Sequence, residues 1–235
     1  GLYTFPAHGL ARPVDTVRPR VQAELAPGMG VEVDVRVRSA DGAWSEWRTS
    51  SEGEAVHLPR SGTEVQLRLA LLADEHGRGP RVQEVRWEAE HSGATETPRP
   101  LAALSYRVYG TREGLVGGTT ANGHVIKSSD RFVALPSRRA LASNGGSEYQ
   151  VRVCYSKTGK CTTASVWDVG PWNTKDDYWN PSASREMWRT LAQGKPEAQA
   201  AYQDGFNGGL DQFGRRPSNP AGIDIADRTF WTDLG

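Results

Sequence analysis

Two aspartates of this 235-residue chain stand where carboxylate chemistry could be done. Asp224 sits between Ile223 and Ile225 in "GIDIADRTFWTDLG", at the end of a short apolar strand and ahead of a helix start. Apolar surroundings disfavour the charged form of a carboxyl, and a glycosidic general acid must hold its proton. Hydrolysis by water calls for a second carboxylate about 5 to 10 Å away. Asp168, between Trp167 and Val169-Gly170-Pro171, is the candidate. Lytic transglycosylation can proceed with one acid/base, because the sugar's own hydroxyl attacks. Each aspartate has a structural alternative: Asp224 capping helix amides or joining a buried network, Asp168 bonding the amides of a Gly-Pro turn.

Asp168 belongs to the densest stretch of the chain, "SVWDVGPWNTKDDYWNP", residues 165 to 181. Trp172 and Trp179 lie there among Asn173, Thr174, Asp176, Asp177 and Asn180, a mixture suited to stacking a pyranose and bonding its hydroxyls. The alternative is that they pack a long segment onto its domain. Trp167, with Tyr106 and Tyr109 of "YRVYG" and Thr120 and Asn122 of "TTANG", completes the candidate substrate-binding set. Asn122 could instead take a left-handed turn conformation. Oxygen ligands cluster in "NTKDD", but without EF-hand spacing, so no metal and no cofactor is assigned.

Other chemistries are poorly supplied. Of the histidines His8, His57, His76, His91 and His124, only His124 lies beyond residue 100, which disfavours a zinc enzyme or a Ser-His-Asp device there. G-x-S-x-G, P-loop and G-x-G-x-x-G patterns are absent. A formal net charge of zero gives no reason to expect nucleic acid or an anionic membrane. No run of about 18 apolar residues exists to insert in a membrane. The chain opens at Gly1, which fits a mature or trimmed form. Cys154 and Cys161 flank a Lys157-Thr158-Gly159 turn between β-branched runs, so they face each other across a hairpin and are expected to form a disulfide, pointing outside the cytoplasm.

The elements that must position these residues read as all-β. Residues 1–20 are a Pro- and Arg-spotted arm. Residues 21–90 form a β-sandwich of short strands. In "GVEVDVRVRS", Val31, Val33, Val35 and Val37 alternate with Glu32, Asp34, Arg36 and Arg38, giving one buried and one wet face; Val65, Leu67, Leu69 and Leu71 repeat the pattern. In "WSEWR", Trp44 and Trp47 point to opposite faces, one into the core and one under Arg48 or Arg36 through cation–π stacking. Residues 91–100 are a linker. From 101 a second domain holds strands "LSYRVYG", "RFVALP", "YQVRVC" and "CTTASVWDVG". Residues 182–204 read as helix in two pieces, with Pro196 at a first helical position, Gly205 as the stop and Asp227 as N-cap of a last helix.

The order "YRVYG…TTANG…RFVALP…YQVRVC…GKCTTASVWDVGP…GIDIADRTFWTDLG" resembles the double-psi β-barrel proteins: expansins, barwin-like proteins, family 45 endoglucanases and rare lipoprotein A-like lytic transglycosylases. The matching pieces are Thr120 to Gly123, Val166 to Pro171 and Ile223 to Leu234, within residues 101 to 171 and 222 to 235. The resemblance implies a six-stranded double-psi β-barrel at 101–235 with a partly helical insert at 172–221. It also implies Asp224 as the catalytic or sugar-binding acid and Asp168 as the second acidic position. The insert is long, the histidine before the final Asp is replaced by Gly222-Ile223, the transglycosylases' loop histidine has no counterpart, and the barwin disulfides are missing; these departures favour binding over cutting. "WSEWR" is similar to the tryptophan ladders of some β-sandwiches and to modules beside actinobacterial cell-wall hydrolases. The Arg-rich, Lys-poor composition fits a GC-rich bacterial genome.

The expected protein is therefore a secreted, extracellular monomer directed at cell-wall polysaccharide or peptidoglycan, without nucleic-acid partners or membrane insertion. Asp224 would act as general acid/base if it cuts. The alternatives are an expansin-like or lectin-like binder that does not cut, and a barwin-like protease inhibitor acting through a protruding loop.

Overall fold

The computed structural model describes residues 1–51, 53–93 and 104–235. It divides into two compact units, Gly1–Pro100 and Leu101–Gly235, and both are β-rich. Most of the expected linker, from residue 94, lies outside the described residues. Ser92 belongs to the first unit, where its N–H donates to Asp15 Oδ1 at 2.8 Å.

The first unit is built from β1 (Leu2–Thr4), β2 (His8–Glu24), β3 (Gly30–Arg38), β4 (Arg48–Ser50), β5 (Val56–Leu72) and β6 (Arg81–Glu90). The sheet order is β4-β3-β5-β2-β6, with β1 added on β5. The expected arm at 1–20 is corrected here: β2 runs through it and pairs with β6 from Thr16 to Glu24. Pro13 falls in the register break between Gly9 and Val14, where the ladder to β5 needs no N–H, while Pro19 lies within the ladder to β6 as the register partner of Trp87. Gly62 sits where a Cβ would come within 2.4 Å of the Arg38 carbonyl oxygen, so only glycine lets β5 pass β3 there.

Val33, Val35 and Val37 join Val65, Leu67 and Leu69 in the core, as their alternation requires. The opposite face of β3 is not wet. Asp34 and Arg36 are buried, because the Trp44–Trp47 segment folds across them. The Arg36 guanidinium lies 4.3 Å from both indole centroids, and Arg68 lies 4.3 Å from Trp47. Asp34 accepts from Arg68 Nε at 3.0 Å and Nη2 at 2.8 Å, and from Thr49 Oγ1 at 2.8 Å. Arg36 is one of the two arginines expected to stack, and Arg68 joins it; the expectation that Trp44 and Trp47 point to opposite faces, one into the apolar core, is corrected, since both indoles lie on Arg36. Local alternation marks which side chains share a face but does not say what covers it, and two flat indoles cover cations well.

The second unit contains β7 (Tyr109–Glu113), β8 (Phe132–Leu135), β9 (Gln150–Cys154), β10 (Cys161–Val169) and β11 (Ala221–Ala226). They form one sheet in the order β7-β11-β8-β10-β9. β7 and β11 are parallel, β8 and β10 are parallel, and β11 runs antiparallel to β8 at the centre. Among the described residues, five strands in an open order stand where six in a closed barrel were expected. Cys154 and Cys161 are register partners in the β9–β10 hairpin and form the expected disulfide. Val133, Leu135, Val166, Ile223, Ile225 and Leu234 make the apolar core.

Two helix expectations are corrected. Between 182 and 204 the α-helix is α1, Glu197–Asp204, closed by Gly205 at φ 67°; turns fill the preceding residues. Pro196 stands at its N-cap. The final π-helical turn, Thr229–Leu234, starts after Arg228 and has no side-chain cap, since Asp227 is drawn away to Arg112 Nη1 at 3.0 Å. No helix among the described residues is long and apolar enough to cross a membrane.

Truncating Arg68 to alanine removes the guanidinium that pairs with the buried Asp34 carboxylate. Urea denaturation followed by tryptophan fluorescence should show a loss of about 3–5 kcal/mol in the first unit, the range for breaking a buried ion pair.

Candidate functional site

The central strand β8 determines where the two candidate acids stand. Ala134 is the register partner of Asp168 on β10 and of Asp224 on β11. The acids therefore flank one small residue, on the same face, with Cα atoms about 10 Å apart at two strand spacings. Both are half-buried.

A bulge makes this possible. The β10–β8 register shifts between Val166 and Asp168, with Trp167 as the extra residue. Without it, alternation would turn Asp168 to the core face occupied by Val166. With it, Asp168 moves to the face of Ala134. Trp167 stacks on Phe132 at 5.9 Å and against His124 at 4.6 Å, and its indole N–H donates to Gly146 O at 2.8 Å. On β11, alternation suffices: Ile223 and Ile225 point into the core, so Asp224 points away from it.

β7 adds two more groups to this face. Thr111 pairs with Asp224, and its hydroxyl donates to Asp224 Oδ1. Glu113, two residues on, is buried, and its Oε2 has no hydrogen-bond donor against it. Burial pushes Glu113 up to about 9, helped by a hydrogen bond with Asp168 and by the charges of Asp168 and Asp224. Asp224 is also raised, first by burial and then by Asp168, against the lowering effect of Thr111. Asp168 Oδ1 accepts from the N–H groups of Ala121 and Val169, each at 2.8 Å. The first bond ties the Thr-Ala-Asn-Gly loop to the site. Gly170 lies over Asp224: a Cβ there would be 3.8 Å from Oδ2.

The other candidates divide by position. Thr120 is buried and donates to Asn122 Oδ1 at 2.6 Å. Asn122 gives its amide hydrogens to the carbonyls of Ala142 and Ser143, at 3.2 and 3.1 Å, so it pins two loops together. Tyr106 donates to Trp179 O at 3.2 Å, and Trp179 packs on the apolar core; both hold the insert down. Tyr109 is exposed, and its hydroxyl accepts from Gln203 at 3.2 Å. Trp172 follows Gly170 and Pro171, is held at φ 64°, and donates its indole N–H to Asn219 Oδ1 at 3.3 Å. It is the aromatic nearest in sequence to the Asp224 cover.

The acids of "NTKDD" are committed elsewhere. Asp176 pairs with Arg185 and accepts from Glu197 N at 2.6 Å; Asp177 pairs with Arg139 and accepts from Glu186 N at 2.7 Å. All four side chains of these two pairs are buried, so arginines occupy the place a calcium ion would take. The insert is thus centred on ion pairs more than on apolar packing. Among the described residues no group of three or more His, Cys, Asp or Glu is arranged to hold a metal. A cavity of about 570 Å³ in the first unit is lined, among the described residues, by Val21, Val31, Val33, Arg18 and Arg20 and their neighbours.

Sequence reasoning missed Glu113. The signal was the alternation Tyr109, Thr111, Glu113 in "YGTRE", hidden because the strand was expected to end at Gly110. The buried arginines Arg139 and Arg185 gave no periodic signal.

This sheet and its acidic face define a β domain whose family can be stated. A family model described as "Domain of unknown function (DUF8814)" matches residues 104–235, and the chain belongs to that family. The match coincides with the described part of the second unit. No curated protein and no solved structure matches.

Replacing Thr111 by valine removes the donor that favours ionised Asp224. Carbon-13 NMR of the Asp224 carboxyl should then show its titration moving to higher pH, while a Thr119→Val control leaves it in place.

Proposed function

We propose that the second unit is a glycan-directed domain of a secreted bacterial protein, acting on peptidoglycan or a related β-linked wall polysaccharide. Asp224 serves as general acid/base and Asp168 as its partner. The observation that carries this reading is the placement of two carboxyls on one face either side of Ala134, with Asp224 held toward its protonated form. A carboxyl with a raised pKa beside a second acid is the pairing that glycosidic bond cleavage uses. The double-psi reading of the fold draws support from the two parallel pairs, β7–β11 and β8–β10, joined through antiparallel β8–β11. Secretion draws support from the Cys154–Cys161 disulfide.

A second reading is binding without cleavage. It is favoured by His124, the only histidine of the second unit, whose Nε2 lies 2.6 Å from Asp130 Oδ2 and which assists neither acid.

Purified sacculi separate the two. If the domain cuts, wild type releases soluble muropeptides, and Asp224→Asn slows release by about 100-fold or more, as loss of a general acid does. Retention on sacculi without product, lost in Trp172→Ala, is the outcome of the binding reading. Neither retention nor release would end the glycan assignment.

A further inference from the structure

In "YGTRE", Tyr109, Thr111 and Glu113 alternate with Gly110 and Arg112. A Cβ at Gly110 would meet Ile225 Cδ1 at 3.2 Å and Ile223 Cγ2 at 3.4 Å, so that position faces the core. Tyr109 therefore shares the opposite face with Thr111 and Asp224. The register break of this strand pair lies on β11, between Ala221 and Ile223, so the alternation of β7 is unbroken. Tyr109 stands two residues, about 7 Å along the strand, from the threonine that donates to Asp224. Its side of the site is open to solvent, since the residue is 52% exposed.

Helix α1 equips this tyrosine with amides. Glu197, Ala198, Ala200 and Ala201 form the buried side of α1, which leaves Gln199 and Gln203, four residues apart, together on the other. Gln203 Nε2 donates to the Tyr109 hydroxyl at 3.2 Å, and Gln199 Nε2 donates to Gln203 Oε1 at 3.2 Å. The Gln199 carbonyl and one N–H of each amide remain to meet a ligand. Trp172 reaches the same end of the sheet: Asn219 Oδ1 accepts from its indole at 3.3 Å and from the N–H of Ala221, the register partner of Tyr109, at 3.1 Å.

An exposed phenol ring beside two carboxamides suits a pyranose that itself carries an amide. The ring covers the apolar face of the sugar. A carboxamide holds donor and acceptor on two atoms in one plane, so it pairs with both the N–H and the C=O of an acetamido group. A hydroxyl holds both functions on one atom and cannot span the two. We propose that Tyr109, Gln203 and Gln199 form a subsite for a 2-acetamido sugar, adjoining the ring that meets Asp224. This subsite rests on the glycan reading and narrows its substrate class to acetamido polysaccharides.

Isothermal titration calorimetry on the full chain tests it, in an Asp224→Asn background that keeps the probe whole. The probes are the β-1,4-linked hexamers of N-acetylglucosamine and of glucose. The N-acetylglucosamine hexamer should bind about tenfold more tightly, as two added hydrogen bonds imply. Tyr109→Ala should weaken its binding about fivefold through loss of the ring. Gln203→Ala should abolish the preference, so that both hexamers bind alike. Tyr155→Ala, an exposed tyrosine just after β9 at the far edge of the sheet, should bind as the parent does. Equal affinity of the parent for both hexamers, a preference that survives Gln203→Ala, or unchanged binding by Tyr109→Ala overturns the proposal. Should Tyr109→Ala fail to fold, saturation-transfer NMR with the tyrosine intact reads the same contact. Transfer from the Tyr109 ring to the hexamer supports the subsite, and its absence overturns it. If neither hexamer binds while the chain is retained on sacculi, the subsite falls and the glycan reading stands; loss of both ends both.

Discussion

The arrangement of the second unit depends on β8 lying between two strands that reach it from opposite directions. β10 arrives parallel and β11 antiparallel, and both meet Ala134. A methyl is the smallest side chain that can stand between the two carboxyls, and Ala134 is itself buried. The strand also has to present its other face, Val133 and Leu135, to the apolar core. One face of a four-residue strand anchors the domain while the other spaces its acids.

That constraint accounts for details that look unrelated. The Trp167 bulge is needed to turn Asp168 out of the core, and the displaced indole is absorbed by Phe132 and His124. A second register break on β11, at Gly222, lets Pro196 approach; a Cβ at Gly222 would lie 2.4 Å from the proline ring. This brings the start of α1 and the end of the insert against the sheet. The insert's ion pairs, Asp176–Arg185 and Asp177–Arg139, then give a segment poor in aliphatic residues an interior that is satisfied electrostatically. Such pairs are costly to desolvate and costlier to break, so they impose a single arrangement more than they add stability.

Both units bury charge, by different means. In the first, Arg36 and Arg68 are enclosed by indoles and by Asp34, so cation and anion are both satisfied. On the acidic face of the second, Glu113 is buried with its Oε2 unpartnered, and burial raises its pKa to about 9.

Much was legible in the chain itself. The valine alternation of β3 and β5 determined their core faces, because side-chain direction in a strand has a period of two. Cys154 and Cys161 identified their own pairing, since a short hairpin leaves few registers. The isoleucines around Asp224 already turned that acid away from the core. Three things waited for the tertiary structure. A bulge breaks the period at an unmarked position, so the direction of Asp168 could not be read from alternation. The strand bearing Glu113 shows its acid only when β11 is laid beside it, a pairing across more than a hundred residues. And whether a polar face is wet or covered, as with Arg36 beneath Trp44 and Trp47, depends on which distant segment returns to lie over it.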